Sequence, residues 1–482
     1  MQTPPSRAGG TTARFVAPGT LGTVVAASFG FALVQLDVTV VNVALPAMGT
    51  ALGAPVSALQ WVVDAYTLSF AALLLSAGHL GDRFGARRMY IGGFALFAAA
   101  SAACGVAPDL AVLAGARAVQ GLAAAAMLPC SLALLNHATA HDARLRAKAV
   151  GWWTAAGSIT IAAGPIVGGL LLGAFGWRSI FLVNLPVCAL GAALALRLPE
   201  APRHPPSRGF DLVGQSLSAL ALAAVAMAVI EWRPLGPADP RVWGALLLGL
   251  ACGLGFARVE SRSARPMIPP GLFRHPVFRA CLAYGIVVNF TYYGMMFVLS
   301  LYLQRVLGLA PVQAGLAFLP LTATFFAVNL LSGWWVARAG SRAPMLSGAL
   351  IDAAGFACMC ALGAHSPVWL MLPMFALLPA GMGLGVPAMT TAVLASVDRR
   401  SSGVVGGVLN AARQAGGAMG VAVFGALCSG GDAQIPAGLH ACALIAVALL
   451  LLAAAWAARA VRPAQPRGTE AAGAAAQAEQ GP

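Results

Sequence analysis

The 482-residue chain has little charge. Asp, Glu, Lys and Arg together make up 9% of it, against 59% hydrophobic residues. Soluble domains carry about 25% charged residues, so an ordinary globular protein is excluded. Metal chemistry finds no support either. The nine cysteines (Cys104, Cys130, Cys188, Cys252, Cys281, Cys358, Cys360, Cys428 and Cys442) form no C-x-x-C pair and have no histidine at ligand spacing. They read as small packing residues in apolar helices. No G-x-S-x-G, phosphate-binding loop or nucleophile with a paired base is present, which argues against an enzyme and against a cofactor. The N-terminal apolar region is too long for a cleavable leader, so none is expected.

What is present is a succession of apolar runs of about 20 residues, each long enough to span a bilayer as a helix. Backbone groups in lipid must bond internally, which leaves helices or a closed barrel. The runs do not alternate, so they are helices, and the fold class is an all-α polytopic membrane protein. Breaks at charges and Gly/Pro clusters define fourteen spans: 17–46, 58–78, 89–107, 110–136, 147–173, 177–198, 211–230, 242–258, 277–304, 312–336, 344–363, 367–395, 403–428 and 437–459.

The net charge of +14 would suggest nucleic acid if it were clustered. Instead the basic residues lie in short loops. With the N-terminus inside, 23 of the 29 Lys and Arg fall on the inner side and four (Arg178, Arg233, Arg241, Arg305) on the outer; Arg117 and Arg413 lie within spans. This asymmetry is the positive-inside signal of a membrane protein with both termini cytoplasmic. The partners it implies are a lipid bilayer and no nucleic acid. The segment from Arg462 onward, rich in Ala, Gln, Pro and Gly, has the composition of a disordered tail.

An internal repeat is visible. "LGDRFGARR" (Leu80 to Arg88) follows the second span and "WVARAGSRA" (Trp335 to Ala343) the tenth, aligning Arg83 with Arg338, Gly85 with Gly340 and Arg87 with Arg342. Parallel repeats of this kind build many transporters, with the substrate site between the halves near the midplane.

Charges within spans are expensive, about 2.5–3.5 kcal/mol near the bilayer centre on insertion scales, and so mark function by default. Asp37, Asp64 and Arg117 fall at similar depth on spans 1, 2 and 4, roughly 9–14 Å below the outer surface at 1.5 Å per residue. They are expected to form one site for proton coupling or for recognising substrate charge. The competing reading is a static ion pair that locks helices together. Asp352 is divided between function and helix packing, and Arg413 between a second gate and a helix lock. In span 5, Gly157, Gly164, Pro165, Gly168 and Gly169 combine close packing with a bend. Span 9 carries Asn289, Tyr292, Tyr293 and Met296, which suit varied hydrophobic or cationic molecules.

Together these pieces resemble the major facilitator superfamily, in its 14-helix drug:proton antiporter branch. "LDVTVVNVALP" (Leu36 to Pro46), "GHLGDRFGARR" (Gly78 to Arg88), "RAVQG" (Arg117 to Gly121), "GSITIAAGPIVGG" (Gly157 to Gly169) and "GWRSIFLVNLP" (Gly176 to Pro186) are similar to that branch's motifs in order. The resemblance implies two pseudo-symmetric six-helix bundles with two inserted helices, working by alternating access. The corresponding division is a cytoplasmic tail 1–16, a first bundle 17–198, a linker with two extra spans 199–275, a second bundle 276–460 and a disordered tail 461–482. It further implies proton coupling by Asp37 and Asp64 assisted by Arg117, and an inner gating loop of Gly78, Asp82, Arg83, Gly85, Arg87 and Arg88. The antiporter motif would be Gly157 to Gly169, and the substrate cavity is expected to include Asn42, Gln120, Asn289, Tyr292, Tyr293 and Met296. The function expected is proton-coupled export of amphipathic or cationic small molecules, drugs or antibiotics, by a monomer in a bacterial inner membrane. The alternatives are a dedicated exporter of one endogenous metabolite and a non-transporting membrane sensor.

Overall fold

A computed structural model describes residues 18–139, 143–198, 200, 211–263, 266, 270–397 and 402–461. The expected tails 1–16 and 461–482 lie outside them, apart from Val461. Every described element is helical: α1 (Pro18–Leu52), α2 (Val56–Phe84), α3 (Ala86–Gly105), α4 (Leu110–Ala138), α5 (Ala143–Phe175), α6 (Ser179–Leu182), α7 (Asn184–Leu196), α8 (Leu212–Leu235), α9 (Pro240–Arg262), α10 (Pro276–Leu301), α11 (Pro311–Ala317), α12 (Leu319–Ala339), α13 (Arg342–Met359), α14 (Val368–Ala395), α15 (Ser402–Leu427) and α16 (Ile435–Ala460). Each of the fourteen runs read from the sequence corresponds to a helix or, for α6–α7 and α11–α12, to a broken pair. Among the described residues eleven spans are long and apolar enough to cross a bilayer on their own. The chain is a multi-pass membrane protein.

Local chemistry sets the helix starts. Asp109 accepts from the Val112 amide at 2.9 Å and Asp211 from the Gly214 amide at 2.8 Å, each satisfying an N–H that the first turn leaves free. At the turn before α9, Asp239 accepts from the Arg241 side chain and amide, which holds its carboxyl below the usual range. The repeat is carried by two glycines. Gly85 between α2 and α3 has φ of 98°, and Gly340 between α12 and α13 has φ of 71°. Each amide closes back on a carbonyl four residues earlier, Gly81 and Val336. A left-handed residue at the same point of both halves is what conserves the shape of the break.

α1 to α7 pack into one bundle and α10 to α16 into a second, joined along α2–α15, α1–α10 and α5–α11/α12. The inserted helices α8 and α9 form a hairpin, and α8 is seated against both α2 and α15. Gln215 donates to the Ala72 carbonyl at 2.7 Å, and Leu68, Ala226 and Ala418 pack together across the three helices.

The first two spans run farther than the sequence suggests. The first was expected to stop at Pro46, yet α1 continues to Leu52. Proline has no N–H, so the Asn42 carbonyl one turn earlier loses its intrahelical donor. Ser300 of α10 donates to it at 2.5 Å, and Gln304 donates to the adjacent Val43 carbonyl at 2.8 Å. With its freed carbonyl satisfied from outside, the helix passes through the proline. The second span, ending at 78 by sequence, continues to Phe84 because the positive-φ break comes at Gly85.

Candidate functional site

The charges inside the first bundle do not form the single three-residue cluster expected from depth alone. Asp37 and Arg117 meet: Arg117 Nη1 donates to Asp37 Oδ2 at 2.5 Å, and the two residues are 2% and 1% exposed. Asn184 of α7 donates to the other carboxylate oxygen at 2.9 Å. Arg117 Nε donates to the Val62 carbonyl at 2.9 Å and Nη1 also to Gln120 Oε1 at 2.9 Å, while Gln120 donates to Ser101 at 2.7 Å. The guanidinium lies 4.3 Å from the Tyr66 ring centroid, in cation–π contact. Five spans of the first bundle thus converge on one net-neutral, closed network. A buried pair of this kind is tolerated because further hydrogen bonds to Val62, Gln120 and Asn184 offset its desolvation.

Sequence reasoning missed Asn184 and Ser101. Both are neutral, so a scan for intramembrane charge passes over them. Gln120, expected on a cavity wall, is instead fully buried in this network. It lies three residues after Arg117 and therefore on the same helix face, which turns into the bundle.

Asp64 stands apart. It is 0% exposed, and among the described residues neither carboxyl oxygen has a hydrogen-bond partner. Val62 and Tyr66 face Arg117, whereas Gln60, Asp64 and Leu68, spaced by four, form the stripe of α2 turned to the seam. Gln60 donates to the Val421 and Ala422 carbonyls of α15 at 2.9 and 2.7 Å, and Leu68 packs on Ala418. Equal depth placed the three charges in one layer; helical phase separates them.

Beside the network lies a cleft between the bundles, with Val38, Tyr66 and Phe70 on one wall and Tyr293, Gln414 and Gly417 on the other. Its lining is uncharged. Tyr66 therefore has one neighbour in the buried network and another in the cleft. Tyr293 lines the cleft, and Tyr292 stacks edge-on against it at 5.4 Å. Asn289 is buried and accepts from Arg413 Nε at 3.2 Å. Met296 is buried in the main core, and the Asn42 amide turns back to the Val38 carbonyl at 3.0 Å.

The glycine motif of α5 divides between two neighbours. A Cβ at Gly157 would enter the Phe31 ring, and one at Gly164 the Thr39 side chain, both on α1. Gly168 also faces α1, at Val40, while Gly169 faces Pro311 of α11 in the other bundle. Pro165 is buried, and a Cβ at Gly315 would strike its carbonyl. In the loop motif Arg87 donates to the Leu198 carbonyl at 2.7 Å and lies 3.5 Å from Glu200, so it ties α3 to the end of the sixth span. Arg83 lies over the Phe84 ring and Arg88 is exposed. The surroundings of Gly78 and the Asp82 side chain are outside what the structure describes. Asp352 is buried where α13 meets α14, over Gly381. Among the described residues no cluster of His, Cys, Asp and Glu is arranged to hold a metal.

Known proteins match along most of the chain. It is 37% identical to the methylenomycin A resistance protein of Streptomyces coelicolor over 83% of its length and 84% of that protein's. It is 38% identical to the multidrug resistance protein Stp of Mycobacterium tuberculosis, over 84% and 75%. Among solved structures, the xylose transporter XylE of E. coli, in a partially occluded inward-open conformation, superposes with a TM-score of 0.66 at 16% identity, over 94% of this chain and 100% of that one. A bacterial homologue of the human lysosomal transporter Spinster gives 0.65 at 18%, over 92% and 98%; these two show the fold. The family profile described as Major Facilitator Superfamily matches residues 27–421, and the chain belongs to that family of transporters.

Proposed function

We propose that this transporter is a proton-coupled antiporter of the 14-helix branch. It exports amphipathic drugs or antibiotics across a bacterial inner membrane as a monomer with both termini cytoplasmic. The resistance and multidrug proteins to which it is similar support the cargo class. Residues 17–198 and 276–460 act as the rocking bundles, with 199–275 as the inserted pair. In this orientation the Asn42–Ser300 contact lies in the outer half of α1 and closes the seam on that side of the cleft.

The observation that carries the coupling is the environment of Asp64. An ionised carboxylate buried without a partner is far more costly than a neutral carboxyl. Closing the α2–α15 seam over Asp64 therefore favours the protonated group, and releasing the proton favours opening the seam to water. Asp37, with both oxygens and its charge satisfied, serves this cycle by holding Tyr66 and Arg117 in place. The Arg83–Arg88 loop and the α5 glycines support the two end states.

The test is proton release on substrate addition to proteoliposomes holding wild type, Asp64→Asn or Asp37→Asn. Asp64→Asn should abolish uphill export while keeping downhill flux. Undiminished gradient-driven export by Asp64→Asn would remove that residue from coupling.

A further inference from the structure

The two arginines inside spans are treated differently by the fold. Arg117 has its carboxylate. Arg413, in the middle of α15, is in none of the ion pairs of the described residues. Its only hydrogen bond among them is from Nε to the neutral Asn289 Oδ1, at 3.2 Å. The two Nη atoms, four donors in a planar fork, have no partner there.

Its position gives that fork an outlet. Arg413, Gly417 and Val421 are spaced by four and lie on one stripe of α15. Gln414, Gly417 and Val421 line the cleft between the bundles, so Arg413 stands at the edge of that wall, beside Gln414 and one turn before Gly417. Across from it, Gly285, Asn289 and Tyr293 form the matching stripe of α10. A Cβ at Gly285 would touch the Arg413 methylenes, and Tyr293 is its electrostatic neighbour. The residue is half-buried, and its chain neighbour Gln414 lines the cleft. A permanent cation with unused donors, beside an otherwise uncharged cleft, matches the geometry of a carboxylate better than any neutral or cationic group.

We propose that Arg413 is a specificity-determining residue that binds the carboxylate of an anionic amphipathic substrate entering the cleft, with Tyr293 against its apolar body. This rests on the exporter reading for the direction of movement and is independent of it for binding. A lock between α15 and α10 would use only the Nε bond to Asn289.

Binding of three matched probes to the purified full-length protein tests it: pyrenebutyrate, its neutral amide, and a pyrenebutyl trimethylammonium. Wild type should bind the carboxylate roughly tenfold more tightly than the amide, the scale of a charge-assisted bidentate contact, and the ammonium most weakly. Arg413→Gln should equalise carboxylate and amide, and Arg413→Lys should retain part of the preference. Equal or absent binding of all three by wild type, preference for the ammonium, or an unchanged carboxylate preference in Arg413→Gln overturns the proposal. The wild-type comparison decides even if Arg413→Gln does not fold. Antibiotic export from cells, measured in parallel, separates the two readings. No export by wild type above an empty vector, with carboxylate selectivity intact, would sink the exporter reading and leave Arg413's role standing.

Discussion

Ser300 donates its hydroxyl proton to the main-chain carbonyl of Asn42 across the seam between the bundles. The acceptor is free because Pro46 supplies no amide to it. A proline in one bundle has thus created a backbone binding point for the other. Gln304 uses the neighbouring Val43 carbonyl in the same way.

Removing the hydroxyl with Ser300→Ala leaves the Asn42 carbonyl buried and unpaired, a loss of about 1–3 kcal/mol. Pro46→Ala restores an intrahelical donor to that carbonyl. The double variant should therefore be less destabilised than the sum of its single changes, with a coupling above about 0.5 kcal/mol. Melting of the four purified proteins in detergent measures the cycle. Additive effects would mean that the hydroxyl and the proline act separately.

The Asp37–Arg117 pair makes a different demand. Asp37→Ala strands a guanidinium inside the first bundle, and Arg117→Met strands a carboxylate; each should lose roughly 3–5 kcal/mol. Removing both charges together should recover most of the loss. Asp37→Asn, which can still accept from Asn184, should be milder than Asp37→Ala. The ranking is read from yield of folded protein and from melting temperature. A double variant as unstable as the worse single would argue that the surrounding Asn184, Gln120 and Ser101 bonds dominate.

The span pattern and the repeat were legible because lipid imposes them. A backbone that must bond to itself leaves a long apolar run with one outcome, and the positive-φ break of Gly85 and Gly340 is written in the aligned loops. The shared level of Asp37 and Arg117, which meet, was legible too, since it follows from counting residues along their helices. Phase around the axis was not. Asp64 is two residues from Val62 and Tyr66, about 200° around the helix, and no hydropathy signal says which side meets α4. Neutral partners escaped for a related reason: Asn184, Ser101 and Ser300 have no intrinsic cost that marks them as functional. Nor does an apolar inserted helix reveal that α8 sits across the α2–α15 seam.

Asp64→Asn should fold as well as wild type, within about 1 kcal/mol, because the amide replaces a carboxyl that has no bond to lose among the described residues. Asp64→Lys should instead be strongly destabilised by a new buried charge. Melting temperature distinguishes this from a partnered carboxylate, for which Asn would be the costly change. A large loss of stability in Asp64→Asn would reveal a bond to Asp64 that matters to the fold.

The α5 glycines separate packing within a bundle from packing between bundles. Gly164 abuts Thr39 of its own bundle, so Gly164→Val overpacks α1 against α5 and should lower stability by about 1–3 kcal/mol. Gly169 abuts Pro311 of α11 in the other bundle. Gly169→Val should leave each bundle intact and weaken their contact, favouring the state in which the outer ends part. Thiol labelling of a cysteine placed at Val43, beside the Gln304 contact, should then rise severalfold from the outer side in Gly169→Val and not in Gly164→Val. The Val43 carbonyl that Gln304 binds belongs to the backbone, so the cysteine reports on the seam without deleting that acceptor. Equal labelling in both variants would mean that α5 moves as one piece with α1 and does not set the contact between the halves.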